Sequence, residues 1–143
     1  MKIGDILRNK GYAVVTIRET RTVLDAVGVL VKHDIGAVVV TERQRPTGIF
    51  TERDVLRLTA RNPGALASIP VRSVMTPEPI TASPDDELSD MMDVMTERKI
   101  RHLPVVDGDQ LVGIVSIGDL LNACRHVAEE ENSHLRQYIQ GAV

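Results

Sequence analysis

The chain has 143 residues, 43% hydrophobic but only 2% aromatic, with no tryptophan; that suffices for one compact domain or two small repeats burying roughly 68–70% of the unfolded surface. Its formal charge is −3, with 17 basic and 20 acidic residues interspersed, so no basic stripe suits a phosphate backbone and nucleic acid is not expected as a main partner. No apolar run is long enough for an export leader or a membrane span, which places the chain in the cytoplasm, and a lone cysteine, Cys124, rules out an internal disulfide and a cysteine-rich zinc site.

Residues 13–17 read as a short strand. Val23, Leu24, Val27, Leu30 and Val31 fall at helical spacing and predict an amphipathic helix. Residues 37–41 read as a strand that turns through RQRP into a second strand, 47–51, followed by a second helix. Residues 63–70, PGALASIP, form a linker between repeat one (1–62) and repeat two (71–124). The order then recurs: a strand at 79–81, a helix capped by Ser83-Pro84-Asp85-Asp86 with Leu88, Met91, Met92 and Met95 as its core stripe, strands at 103–106 and 111–116 joined by DGDQ, and a closing helix. Cys124 reads as a small buried side chain. The extension 125–143 has few apolar points, Val127, Leu135, Tyr138 and Ile139, and reads as a terminal helix broken near Asn132 and Ser133, with Glu129 to Glu131 as a solvated face.

Shifting the sequence on itself by 65 residues aligns 14–59 with 79–124 without a gap. Thr16/Thr81, Asp25/Asp90, Ile35/Ile100, Val40/Val105, Gly48/Gly113, Ile49/Ile114 and Asp54/Asp119 are identities in this register, and Thr51/Ser116 is conservative. Upstream, IGDIL (3–7) resembles VRSVM (71–75) at an offset of 68, so repeat one carries three extra residues near Lys10. The segments GIFTERD (48–54) and GIVSIGD (113–119) therefore close the two repeats in the same way. Thr51-x-x-Asp54 and Ser116-x-x-Asp119 each admit two readings, a capping box that satisfies free helix amides or a grip on a ligand. Neither a nucleophile with a base nor a metal cluster is recognisable, since His33, His102, His126 and His134 are scattered. The expectation is that the protein is not an enzyme.

These residues resemble the cystathionine-β-synthase (CBS) domain family, whose repeats close on G-h-x-T/S-x-x-D, often after R/H-x-L-P-V; here Gly48 to Asp54, Gly113 to Asp119, and Arg101-His102-Leu103-Pro104-Val105. The resemblance runs from residue 3 to about 124. It implies an α/β fold: a CBS-domain pair of two βαββα repeats packed about a pseudo-two-fold axis, with a C-terminal helix added. It also implies two clefts built crosswise that commonly hold adenine nucleotides. Cleft one would combine Ile49, Thr51 and Asp54 with Glu78, Pro79, Ile80, Ile100, Arg101 and His102. Cleft two would combine Ile114, Ser116 and Asp119 with Ala13, Val14, Val15, Ile35, Gly36 and Ala37.

The residue types suit such a ligand chemically. An ionised Asp54 or Asp119 can accept hydrogen bonds from a ribose 2′,3′-diol. Thr51 or Ser116, with amides at the helix start, can meet phosphate oxygens, and Ile49, Ile80, Ile114 and Val15 could sandwich a purine. Arg101 and His102 stand where repeat one has Gly36 and Ala37, so cleft one is expected to bind charged nucleotide more tightly, with Arg53 and Lys10 as lesser phosphate candidates. The resemblance implies a homodimer of four repeats that senses energy or redox state through AMP, ADP, ATP or NAD(H), without a catalytic cofactor, and acts on an unidentified partner protein. The alternative is an interaction scaffold with vacant clefts.

Overall fold

A computed structural model of the chain describes residues 1–141. It opens with a helix not foreseen from the sequence, α1 (Ile3–Lys10), whose Ile3, Ile6 and Leu7 turn one buried face inward. Then follow β1 (Thr16–Arg18), α2 (Val23–His33), β2 (Ala37–Glu42), β3 (Arg45–Thr51) and α3 (Glu52–Arg61). After a 3₁₀ turn at Val71–Ser73 come β4 (Thr76–Pro77), α4 (Leu88–Arg98), β5 (His102–Asp107), β6 (Gln110–Ser116) and α5 (Ile117–Gly141).

One sheet has the order β1-β2-β3-β4, with β1 parallel to β2 and the other pairs antiparallel. The second sheet is the antiparallel pair β5-β6. Each hairpin slips register at the same point, between Val40 and Thr41 and between Val105 and Val106. The strand expected at 13–17 shortens to β1, and that expected at 79–81 does not form, a single parallel bridge between Ala82 and Val105 lying just beyond it.

The turn at Ser83 explains a second departure. The Asp86 carboxylate accepts the Ser83 N–H at 2.7 Å, locking a turn rather than a helix start, and α4 begins only at Leu88. The carbonyls of Pro84 and Asp86 are then free to accept the first amides of α1, from Gly4 at 2.8 Å and Ile3 at 2.9 Å, so the two segments satisfy each other's backbone.

Two cores result, and each is completed by a segment from the other half. Ile3, Ile6 and Leu7 pack with Leu88, Met95, Leu103, Val105, Val115 and Leu120, that is, with repeat two. Val71, with Val74 and Met75 at its edge, packs with Val23, Leu30, Val38, Val40 and Phe50 of repeat one. The two motif glycines lie where these crossing segments pass. A Cβ on Gly48 would stand 2.3 Å from Met75 Sδ, and one on Gly113 would stand 2.7 Å from Leu7 Cδ2. The first residue of each G-h-x-T/S-x-x-D is thus a packing requirement of the exchange.

Three expectations are corrected. On α2 the buried face is Val23, Ala26 and Leu30, while Leu24 (49% exposed) and Val31 (75%) face outward. The closing helix of repeat two and the terminal helix are one continuous 25-residue α5, unbroken at Asn132 and Ser133; weak helix formers there cost a few tenths of a kcal/mol each relative to alanine, too little to break a helix. Cys124 is half-buried at the edge of the second core rather than within it.

Candidate functional site

Strand β3 ends at Thr51 and α3 begins at Glu52, so the chain turns at the T-x-x-D motif with Thr51 as N-cap in extended geometry (φ −126°, ψ 168°). Asp54 lies one turn into α3 and folds back. Its Oδ2 accepts the Thr51 N–H at 2.9 Å and the Thr51 hydroxyl at 3.3 Å, and Oδ1 takes no hydrogen bond among the described residues. The capping reading of the motif therefore uses one carboxylate oxygen and leaves the other open to a ligand.

This turn forms one wall of a cleft of about 330 Å³. All nine residues expected for cleft one line it: Ile49, Thr51, Asp54, Glu78, Pro79, Ile80, Ile100, Arg101 and His102. Two crossing features bring them together. The segment after β4 runs beside the first half of β3, with the Glu78 N–H held by the Thr47 carbonyl at 3.1 Å, and carries Glu78, Pro79 and Ile80 into the cleft. The left-handed C-cap of α4, Lys99 (φ 55°), turns the chain into β5 and sets Ile100, Arg101 and His102 opposite.

The cleft also takes Gly36, Glu52, Arg53, Arg57, Thr76 and Lys99. Arg57 stands four residues after Arg53, so both lie on one face of α3, a spacing visible in the sequence once a helix is placed there. Lys99 had no such signal, since its direction depends on the left-handed cap. Gly36, expected in cleft two, lines cleft one beside the Glu52 side chain. Arg53, Arg57, Lys99 and Arg101 outnumber Glu52, Asp54 and Glu78, and among the described residues none of the four cations forms an ion pair. Such a set can neutralise a phosphate chain.

Cleft two differs. Ser116 and Asp119 form a complete capping box, with the Ser116 N–H donating to Asp119 Oδ2 at 2.8 Å and the Asp119 N–H to Ser116 Oγ at 3.1 Å. Lys10 Nζ donates to the same Oδ2 at 2.7 Å and to the Ile114 carbonyl at 2.7 Å. Val15 and Ile35 pack against the repeat-one core, Ala37 is buried in β2, and Ala13 is exposed. Val14 lines a separate open groove of about 1360 Å³ between β1, the β2–β3 turn and the β5–β6 turn. Of the nine residues expected for cleft two, Gly36 lines cleft one and Val14 lines the open groove. Burial raises the Asp119 carboxyl, but the Lys10 ammonium and the Ser116 N–H together hold it below the ordinary 3.8.

His102 sits in both neighbourhoods, lining cleft one and pairing with Ser116 across β5–β6. Burial lowers its imidazole below the ordinary 6.5; Glu52 and Asp119 act upward, Lys10 and Arg101 further downward. A lowered histidine is neutral in the fold, so the unfolded chain protonates first as pH falls below 6.5, and stability declines from there to the folded value. The Asp119 contribution is present above 3.8 and is lost as pH falls through its lower folded value. The two windows are separate. His102→Gln should therefore show a smaller drop in urea midpoint between about pH 7.5 and pH 5.5 than the unaltered chain. Equal drops in both would mean that His102 does not stay neutral in the folded chain.

The fold is a tandem-repeat α/β module with a cleft built crosswise between its halves, and the comparisons with known proteins give its family. The chain matches the CBS domain family over residues 3–61 and 71–126 and belongs to that family as a CBS pair. It is 37% identical over 148 residues to the CBS domain-containing protein CBSX3, mitochondrial, of Arabidopsis thaliana, spanning 97% of this chain and 72% of that one. Among solved structures it is similar to the CBS-domain containing protein ATU1752 of Agrobacterium tumefaciens, at TM-score 0.82 and 36% identity over 86% of this chain and 98% of that one. It is similar also to the CBS domain protein PAE2072 of Pyrobaculum aerophilum complexed with AMP, at TM-score 0.75 and 30% identity, covering 83% and 89% of the two chains.

Proposed function

We propose that the chain is a regulatory module, not an enzyme, that binds an adenine nucleotide in cleft one and passes its occupancy to a partner protein. The observation that carries this reading is the convergence of Thr51 and Asp54 with Ile49, Ile80, Arg101 and His102 on one cleft. Asp54 Oδ1, which takes no hydrogen bond among the described residues, accepts the ribose diol. Ile49 and Ile80 flank the purine, and Arg53, Arg57, Lys99 and Arg101 meet the phosphates. A solved relative complexed with AMP supports the ligand class. Among the described residues no group of three or more His, Cys, Asp or Glu could hold a metal ion, and no helix is long and apolar enough to cross a membrane. We place the module in the cytoplasm, where nucleotide ratios report energy or redox state.

The module works as a homodimer. On α2, Leu24, Gly28 and Val31 fall one and two turns apart, with Leu24 and Val31 exposed and open space over Gly28. The same positions in α4 are Ser89, Asp93 and Thr96, so the apolar stripe belongs to repeat one alone. A ligand shifts the set of the repeats only as far as its affinities for the two arrangements differ.

A thermal-shift panel of AMP, ADP, ATP and NAD(H), with light scattering on the same samples, tests the reading. A melting temperature raised by at least one of these ligands and a dimer mass are expected. A panel that moves nothing overturns the nucleotide reading in favour of an interaction scaffold, and a monomer mass at micromolar concentration overturns the dimer.

A further inference from the structure

An arginine or lysine meets an anion as a standing charge, whereas an imidazole can change its charge near neutral pH. His102 opens β5 and lines cleft one; His33, His126 and His134 are exposed and lie outside it. Among the described residues the His102 imidazole takes part in no hydrogen bond or ion pair. Among those residues no buried side-chain nitrogen lacks a partner, so both of its ring nitrogens reach solvent. Charged groups surround the half-buried ring: Glu52 from the start of α3, Lys10 from the end of α1, Asp119 from the first turn of α5, and Arg101 just before β5. Asp54, Glu78, Arg53, Arg57 and Lys99 stand around the rest of the cleft. Burial and the two nearby cations outweigh Glu52 and Asp119, so the free chain holds the ring neutral. Repeat one has Ala37 at the matching position, so this group belongs to cleft one alone.

We propose that His102 is the residue by which cleft one selects a phosphate-bearing nucleotide over an uncharged nucleoside, taking up a proton as the phosphate enters. This rests on the nucleotide reading of cleft one. A phosphate dianion brings opposite charge to the ring in a partly desolvated space, and such a charge within about 4–6 Å favours the protonated form. The proton comes from solvent and adds to the unprotonated ring nitrogen. Both nitrogens are then donors, and one can bond a phosphate oxygen. Because the bound chain holds a proton that the free chain lacks, lower pH favours binding. Adenosine brings no charge, so it binds without proton uptake.

Calorimetric titration with AMP near pH 7, in two buffers of different ionisation heat, counts the protons taken up. The AMP phosphate, with its second ionisation at about pH 6, contributes little there. The unaltered chain is expected to take up a fraction of a proton per AMP, and its affinity to tighten about three- to tenfold from pH 8 to pH 6.5. His102→Gln keeps a polar side chain, takes up no proton, and should bind AMP with an affinity that stays level over that range. Imidazole NMR on the unaltered chain needs no variant to fold: AMP should raise the titration midpoint of His102 and leave His33, His126 and His134 unmoved, and adenosine should raise none. Proton uptake that persists in His102→Gln overturns the proposal and leaves the nucleotide reading standing. So does AMP bound by the unaltered chain with no uptake and a His102 midpoint that stays in place. AMP that binds neither protein at any pH overturns the nucleotide reading and the proposal with it.

Discussion

Asp54→Ala is expected to weaken AMP binding about a hundredfold, since hydrogen bonds to a charged acceptor contribute about 1.5–3 kcal/mol each and 1.4 kcal/mol is a factor of ten. The same change removes the acceptor of the Thr51 N–H, a cap bond whose loss costs about 0.5–2 kcal/mol of stability. A drop in affinity alone would therefore not separate ligand contact from a loosened helix start. Asp25 supplies the control. It stands in the same relation to Thr22 on α2, accepting the Thr22 N–H at 3.2 Å while its own N–H donates to Thr22 Oγ1 at 3.1 Å, and it does not line the cleft. Asp25→Ala should lower the melting temperature by a similar amount and leave AMP affinity unchanged. Calorimetry and thermal melting on both variants decide the matter. If the two weaken AMP binding equally, or if neither does, Asp54 is only a cap.

The crosswise construction of cleft one was legible because its parts are local and repeated. A hydroxyl and an acid three apart after a strand, and a strand that opens on Arg101-His102, keep their meaning in any packing of two such repeats. The cavity between β3, β5 and the segment after β4 then follows from exchange of the leading segments. The bond that joins Lys10 to Asp119 across 109 residues was not legible, because no local pattern announces it. The three extra residues near Lys10 marked the place without giving a direction.

Helix α1 shows a different kind of miss. Ile3, Ile6 and Leu7 carry helical spacing, but the segment spans only eight residues, too short to persist as a helix without a partner. The partner is the Gly113 face of repeat two. Ser83-Pro84-Asp85-Asp86 has the composition of a helix start and is used as a turn, because its carbonyls serve the amides of α1. Leu24 and Val31 have the periodicity of a core and face outward, since periodicity marks an apolar stripe without saying which neighbour covers it.

If the exchange of segments holds the two halves together, Gly113→Ala should destabilise the fold by about 1–3 kcal/mol, the usual cost of forcing an extra carbon into a packed core. The new methyl would meet Leu7 Cδ2 at 2.7 Å and Cδ1 at 2.9 Å, closer than carbon atoms approach. Leu7 is fully buried among Ile3, Leu103 and Val105, so it cannot swing away without moving its helix. At Gly48 the nearest atoms belong to the flexible end of Met75, which can yield, although the Thr76 carbonyl at 3.0 Å resists. Gly48→Ala should therefore cost less than Gly113→Ala. A double-mutant cycle isolates the contact. Leu7→Ala alone leaves a cavity and costs about 2–5 kcal/mol, but in the Gly113→Ala background the new methyl fills part of that space. The double variant should then be more stable than the sum of the two losses by more than about 0.5 kcal/mol, the level at which neighbours depart from additivity. Urea unfolding of the four proteins measures this. Strict additivity would mean that α1 does not bear on Gly113, and the position of Lys10 over Asp119, which depends on that contact, would lose its support as well.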